Sequence, residues 1–183
     1  MEGGAAPGHL GRVLIARQEI ATRVADLGLA IRRDYAGRFP LFVGILKGAL
    51  VFAADLVRAA GLPSSLDFMG VSSYGSAAQS SGVVRLTADL SVSIEGRDVI
   101  LVEDIIDSGR TLAYLRRNLA TRHPKSLAAC VLLDKVARRE VEVAVDYIGF
   151  AIPDEFVVGY GLDQGGYYRS LRDVVVLDPN PAA

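Results

Sequence analysis

Apolar positions along the chain fall into two alternating patterns. Short continuous runs, as expected of strands buried on both faces, occur at Leu41–Leu46, Leu66–Val71, Val99–Val102, Leu127–Leu133, Tyr147–Phe150 and Val174–Leu177. Between them lie stretches with helical spacing. Gln18–Tyr35 repeats Ile20, Val24, Leu27 and Ile31 at three or four residues, and Thr111–Arg122 carries Leu112, Leu115 and Leu119. Ala49–Ala60 is a third helix, closed by Gly61-Leu62-Pro63. Val83–Thr87 and Ser91–Ile94 are shorter strand candidates before a turn at Glu95-Gly96-Arg97. Ser72–Gly82, with five Ser, two Gly, Tyr74 and no charge, reads as a mobile loop. Apolar strands alternating with amphipathic helices predict a single α/β domain with a mainly parallel central sheet flanked by helices. Residues 1–11 read as a flexible N-terminal tail and 12–183 as the domain; no repeat or internal boundary is visible.

Composition narrows the function. The chain has 183 residues, 51% of them hydrophobic, which is enough for a substantial core. Lys and Arg number 20 against 21 Asp and Glu, a balance that argues against a dedicated nucleic-acid binder. A single cysteine, Cys130, forbids an internal disulfide and a Cys-rich zinc site, and it sits in an apolar run where a small buried hydrophobe is expected. With only His9 and His123, a histidine metal cluster or a Ser-His-Asp triad is excluded in practice. Lys47, Asp55 and Arg58 interrupt the most hydrophobic stretch, and Met1–Gly8 lacks the charged and apolar regions of a signal peptide. No membrane partner and a reducing, cytoplasmic location are therefore expected.

One segment concentrates chemistry. Val99–Val102, the best central strand, runs into Glu103-Asp104-Ile105-Ile106-Asp107-Ser108-Gly109-Arg110-Thr111 and then a helix. Carboxylates at the carboxyl end of a central strand lie where open α/β sheets place their ligands. The small loop that follows offers backbone N–H groups and the hydroxyls of Ser108 and Thr111 as a nest for a phosphate. Acids beside a phosphate nest suit a phosphorylated sugar, whose hydroxyls or metal the carboxylates would take. Any one of these residues is equally well a helix cap or a polar strand end. The run as a whole is not, because adjacent acids repel and a fold gains nothing structural from them. No Walker A motif precedes the segment, and Gly159-Tyr160-Gly161 fails as a dinucleotide fingerprint because Gln164 replaces the third glycine.

Val102–Thr111 resembles the phosphoribosyl-pyrophosphate (PRPP) signature of the type I phosphoribosyltransferases, and its wording is similar to that of the hypoxanthine(-guanine) branch. Distant segments extend the likeness. Gly44-Ile45-Leu46-Lys47-Gly48 resembles the pyrophosphate loop, Ser72-Ser73-Tyr74-Gly75 the start of the catalytic flap, and Leu132–Lys135 with Ile152–Asp163 the purine-binding hood; Tyr167-Tyr168-Arg169 completes the set. The resemblance spans roughly residues 12–178. It implies the type I phosphoribosyltransferase fold plus a small purine-binding hood, drawn from the N-terminal segment and roughly residues 150–183. The activity it implies is transfer of 5-phosphoribosyl from PRPP to N9 of hypoxanthine or guanine, with Mg²⁺ as cofactor and release of pyrophosphate.

The same resemblance assigns roles. Asp107 would face purine N7 as general base or proton relay. Glu103 and Asp104 would take the ribose hydroxyls, partly through Mg²⁺, and Asp163 a second Mg²⁺. Ser108, Gly109, Arg110 and Thr111 would grip the 5-phosphate. Lys47, Gly48 and Arg169 would take pyrophosphate, and the Leu46–Lys47 peptide can be cis in this family. Lys135 would select a 6-oxo base, Phe156 would stack on it, and the backbone of Val157 would read its edge. Ser73 and Tyr74 would cover the site and exclude water. A homodimer or homotetramer is implied. A second reading on the same fold is a regulator that senses PRPP or nucleotides without catalysis. The intact Asp107, the short chain and the near-neutral charge favour the enzyme.

Overall fold

A computed structural model describes residues 8–73 and 84–178. In chain order its elements are β1 (His9–Ile15), α1 (Arg17–Asp34), β2 (Leu41–Leu46), α2 (Leu50–Ala60), β3 (Ser65–Ser73), β4 (Val84–Ala88), β5 (Asp98–Ile106), α3 (Arg110–Ala120), β6 (Ser126–Asp134), β7 (Tyr147–Ala151), β8 (Val157–Val158) and β9 (Val174–Asp178). The larger sheet has the order β4-β3-β2-β5-β6-β7. Every pairing in it is parallel except β3 with β4 at one edge. The apolar runs thus mark strands covered on both faces. Phe42, Ile100, Val102, Cys130 and Leu132 pack under α1 and α2, while Leu41, Val43, Val99, Leu101 and Val131 pack under α3. Cys130 is buried, and burial pushes its thiol far above the usual range, as befits a core hydrophobe. No helix among the described residues is long and apolar enough to cross a membrane.

A second, antiparallel sheet of order β1-β9-β8 sits beside the first. Ile15, Val157 and Val174 from this sheet belong to the same hydrophobic cluster as Ile20 of α1 and Phe52 of α2.

Three expectations change. His9–Gly11 are not tail but part of β1, held by pairing with β9; of residues 8–16 only Ile15 is buried, so no apolar pattern announces the strand. Ser72 and Ser73 extend β3, their backbones paired with Arg85 and Val84, instead of opening the loop. Ser91–Ile94 forms no strand. The Asp67 carboxylate accepts both the Ser91 amide, at 2.8 Å, and its hydroxyl, at 3.0 Å, so that a side chain takes the place of a ladder partner. Ile94 instead plugs the core beneath α3.

Candidate active site

The buried character of β5 carries past its apolar residues into its acids. Glu103 pairs with Val131 of β6 and is 6% exposed, and its Oε2 has no hydrogen-bond partner. Burial, reinforced by the neighbouring Asp104 charge, pushes Glu103 up to about 8. Asp104 is pushed up to about 6 by burial, against the pull of its own amide, the Ile105 amide and the Arg169 charge. An orphaned buried carboxylate beside a second acid is costly unless a ligand or cation completes it. That donor set fits Mg²⁺, which prefers carboxylate oxygen and keeps water and phosphate oxygens in its shell. Among the described residues no three His, Cys, Asp or Glu side chains converge as a self-sufficient metal cage. Substrate oxygens would therefore have to finish the shell.

Beyond Ile106 the chain turns through Asp107, Ser108 and Gly109 into α3. Gly109 is the N-cap at φ 84°, a left-handed conformation that glycine adopts without penalty, and no side chain caps the helix. The Arg110 amide reaches Ser108 Oγ at 3.4 Å, and the next amides of the first turn are left to a ligand, at the positive end of the helix dipole. A cavity of about 80 Å³ lies there, lined by Glu103, Asp107, Ser108, Gly109 and Thr111 among others, a size suited to a single phosphate group.

β6 places the next group. Ile106 pairs with Asp134, and the Lys135 amide donates to the Ile106 carbonyl at 3.0 Å, so Lys135 lies beside Asp107 at the strand ends. Lys135 is 8% exposed, with its ammonium 3.8 Å from Asp154. Arg138, on the 3₁₀ turn Val136–Arg138, lies 3.6 Å from Asp154 and donates to Asp107 Oδ1 at 3.1 Å. Charges of alternating sign thus run Lys135–Asp154–Arg138–Asp107. Phe156 is 43% exposed, whereas its neighbour Val157 is buried in β8 against Val176. Arg138 and the linking role of Asp154 went unseen in the sequence; the basic pair Arg138-Arg139 directly after the strand end was the available signal.

A third cluster surrounds the end of β2. The Leu46–Lys47 peptide is cis, and Lys47 is exposed. A Cβ on Gly48 would stand 1.6 Å from Asp104 Oδ2, and one on Gly161 would stand 2.2 Å from the Gly48 carbonyl. Asp104, Gly48 and Gly161 are therefore stacked at a closeness that no side chain permits. Arg169 donates to the Gly161 carbonyl at 2.6 Å and pairs with Asp163 at 2.6 Å, while Asp163 Oδ2 accepts the Gly166 amide at 2.6 Å. The packing role of Gly161 was not legible in advance. Of the expected flap, Ser73 ends β3 and Tyr74 lies outside the described residues. A larger cavity, of about 670 Å³, opens between α1, α2 and residues 169–172, but of the expected site residues it includes Arg169 alone.

Comparison with known proteins agrees with this geometry. Residues 14–165 match the phosphoribosyl transferase domain family. The chain is 49% identical to a hypoxanthine-guanine phosphoribosyltransferase of Mycobacterium avium, over 94% of this chain and 88% of that protein. It is also 49% identical to the hypoxanthine phosphoribosyltransferase of Salmonella typhimurium, over 93% of this chain and 98% of that one. Among solved structures, a hypoxanthine-guanine phosphoribosyltransferase from Bacillus anthracis superposes with a TM-score of 0.87 at 43% identity, covering 92% of this chain and 99% of that one. A family match over most of the chain, near 49% identity to curated relatives and a shared fold show that the chain belongs to the hypoxanthine(-guanine) phosphoribosyltransferases, purine-salvage enzymes of type I phosphoribosyltransferase fold.

Proposed function

We propose that the chain transfers the 5-phosphoribosyl group of PRPP to N9 of hypoxanthine and guanine, and that the three clusters at the strand ends divide the substrates between them. The observation that carries this reading is the partnerless, buried Glu103 beside Asp104, at the mouth of an uncapped loop with room for one phosphate. The loop amides from Asp107 to Thr111, with the Ser108 and Thr111 hydroxyls, take the 5-phosphate. Glu103 and Asp104 take the ribose hydroxyls. Gly48, Lys47 and Arg169 receive the pyrophosphate.

Bond breaking at the anomeric carbon runs ahead of bond making, so positive charge grows on the ribose while anionic charge grows on pyrophosphate. Asp104, and Glu103 once a bound ligand or cation completes it, lie against the ribose, where their charge favours that transition state. Glu103 and Asp104, and Asp163 at a second position, would hold Mg²⁺, which would supply charge neutralisation for the pyrophosphate. Arg138 occupies Asp107 Oδ1, leaving Oδ2 to accept the proton at purine N7 as N9 forms its bond. The Lys135 ammonium donates to a purine O6. An adenine amino group there would set donor against donor, which is the basis of discrimination. Phe156 offers its exposed ring for stacking, and Val157 its backbone. The small sheet that carries Val157 acts as the purine hood. Ser73 and Tyr74 are assigned the cover of the site by resemblance. Small-molecule substrates, a homodimer or homotetramer, and a reducing cytoplasm complete the reading.

The test is nucleotide formation by the purified chain with PRPP, Mg²⁺ and, in turn, hypoxanthine, guanine, xanthine and adenine. Turnover of hypoxanthine or guanine at a rate at least about 100-fold above adenine is expected. PRPP binding without turnover of any base would overturn the enzyme and favour a sensor of PRPP.

A further inference from the structure

The connection from β6 to β7 grips the phosphate loop from one side. The amides of Glu140 and Val141 both donate to the Ser108 carbonyl, each at 3.0 Å. The Glu140 carboxylate meets the Arg110 guanidinium at 2.6 Å. A Cβ on Gly109 would stand 2.7 Å from the Val141 carbonyl and 3.0 Å from Arg139 Cδ. Arg138 adds its bond to Asp107 at 3.1 Å. Each residue from 107 to 110 therefore has a partner within 138–141, and that segment does not line the loop's cavity.

A trans peptide is planar, with its carbonyl and N–H pointing in opposite directions. With the Ser108 carbonyl fixed on two donors of the strap, the Gly109 N–H of the same peptide unit is aimed away from the strap. The cavity is lined by residues of β5, the loop and α3 and by none of the strap. The Arg110 side chain is drawn to Glu140 and does not line the cavity, so its contribution is to fix the first residue of α3 rather than to touch a phosphate.

We propose that residues 138–141 form a positioning strap for the 5-phosphate loop, and that Glu140, acting through Arg110, is a positioning residue for PRPP. The proposal rests on the reading of this loop as the 5-phosphate site. Preorganised amides bind an anion without reordering, so loosening the Arg110–Glu140 contact weakens PRPP binding, while Arg138 keeps its bonds to Asp107 and Asp154 and the purine side is unchanged.

Steady-state kinetics on the full chain separate the possibilities, using Glu140→Ala, Arg110→Ala, the double variant, the charge swap Arg110→Glu/Glu140→Arg, and Thr111→Val as a probe of the loop itself. Each single alanine variant is expected to raise KM for PRPP about threefold, with KM for hypoxanthine unchanged. The double variant should be no worse than the worse single one, and the swap should recover most of the loss. Both KM values for PRPP staying at the wild-type level while Thr111→Val raises it would overturn the strap and spare the loop reading. Equal falls in kcat with no change in KM for PRPP would also overturn it, marking the pair as merely structural. If Thr111→Val too leaves KM for PRPP unchanged, the loop is not the 5-phosphate site and both claims fall.

Discussion

Glu103 shows how a single residue records what the protein is built to hold. Its carboxyl is buried, lacks a partner at Oε2 and lies next to Asp104, all of which disfavour the charged form. Its folded value of about 8 lies above the ordinary 4.5, so the folded chain keeps a proton that the unfolded chain releases. The stability this proton brings is full below the ordinary value and is lost as pH rises toward about 8. Thermal unfolding of the ligand-free protein should accordingly show Tm falling across that window. Glu103→Gln keeps the shape and removes the charge, so its Tm at pH 8 should exceed wild type by about 3 °C or more, and the pH dependence should flatten. The same change should cut kcat/KM at least about tenfold, because the ribose side loses a carboxylate. A variant destabilised at pH 8 would show that Glu103 is satisfied by something other than ligand.

Among elements, the turn after β2 is the one whose closeness leaves least freedom. Gly48 lies between Asp104 and Gly161, and a methyl group there would sit 1.6 Å from the Asp104 carboxylate. Gly48→Ala should therefore destabilise the protein by about 2 kcal/mol and raise KM for PRPP at least about tenfold; chemical denaturation and initial rates measure the two effects. Such packing was not legible in the sequence, where Gly48 stood out through its likeness to a pyrophosphate loop. What was legible had a local cause. Strands buried on both faces must be apolar throughout, and a run of acids following one has no use in a core, so β2, β5, β6 and residues 103–111 stood out. β1 did not, because most of it faces outward and it exists through its pairing with β9. Ser91–Ile94 looked like a strand, since residue types cannot reveal that the Asp67 carboxylate takes the Ser91 amide. Arg138, Asp154 and Glu140 join the site through side-chain contacts across 16 to 31 positions of chain, which no local pattern encodes.

At the scale of the whole molecule, two sheets share one hydrophobic cluster, so the residues assigned to the purine and those assigned to PRPP stand on a common frame. The site draws on the ends of β2, β5 and β6, on the 3₁₀ turn after β6, and on the turns between β8 and β9. Asp107 stands where these contributions meet, one residue beyond the strand that carries Glu103 and Asp104 and bonded to Arg138 of the turn after β6. In the proposed reaction this carboxylate moves the proton of the incoming base after PRPP is already bound. Single-turnover transfer from PRPP to hypoxanthine by Asp107→Asn, with PRPP affinity measured in parallel, tests it most directly. The account predicts a transfer rate lower by about 100-fold or more with PRPP affinity within about threefold of wild type. Transfer at the wild-type rate, or a loss explained wholly by failure to bind PRPP, would contradict it.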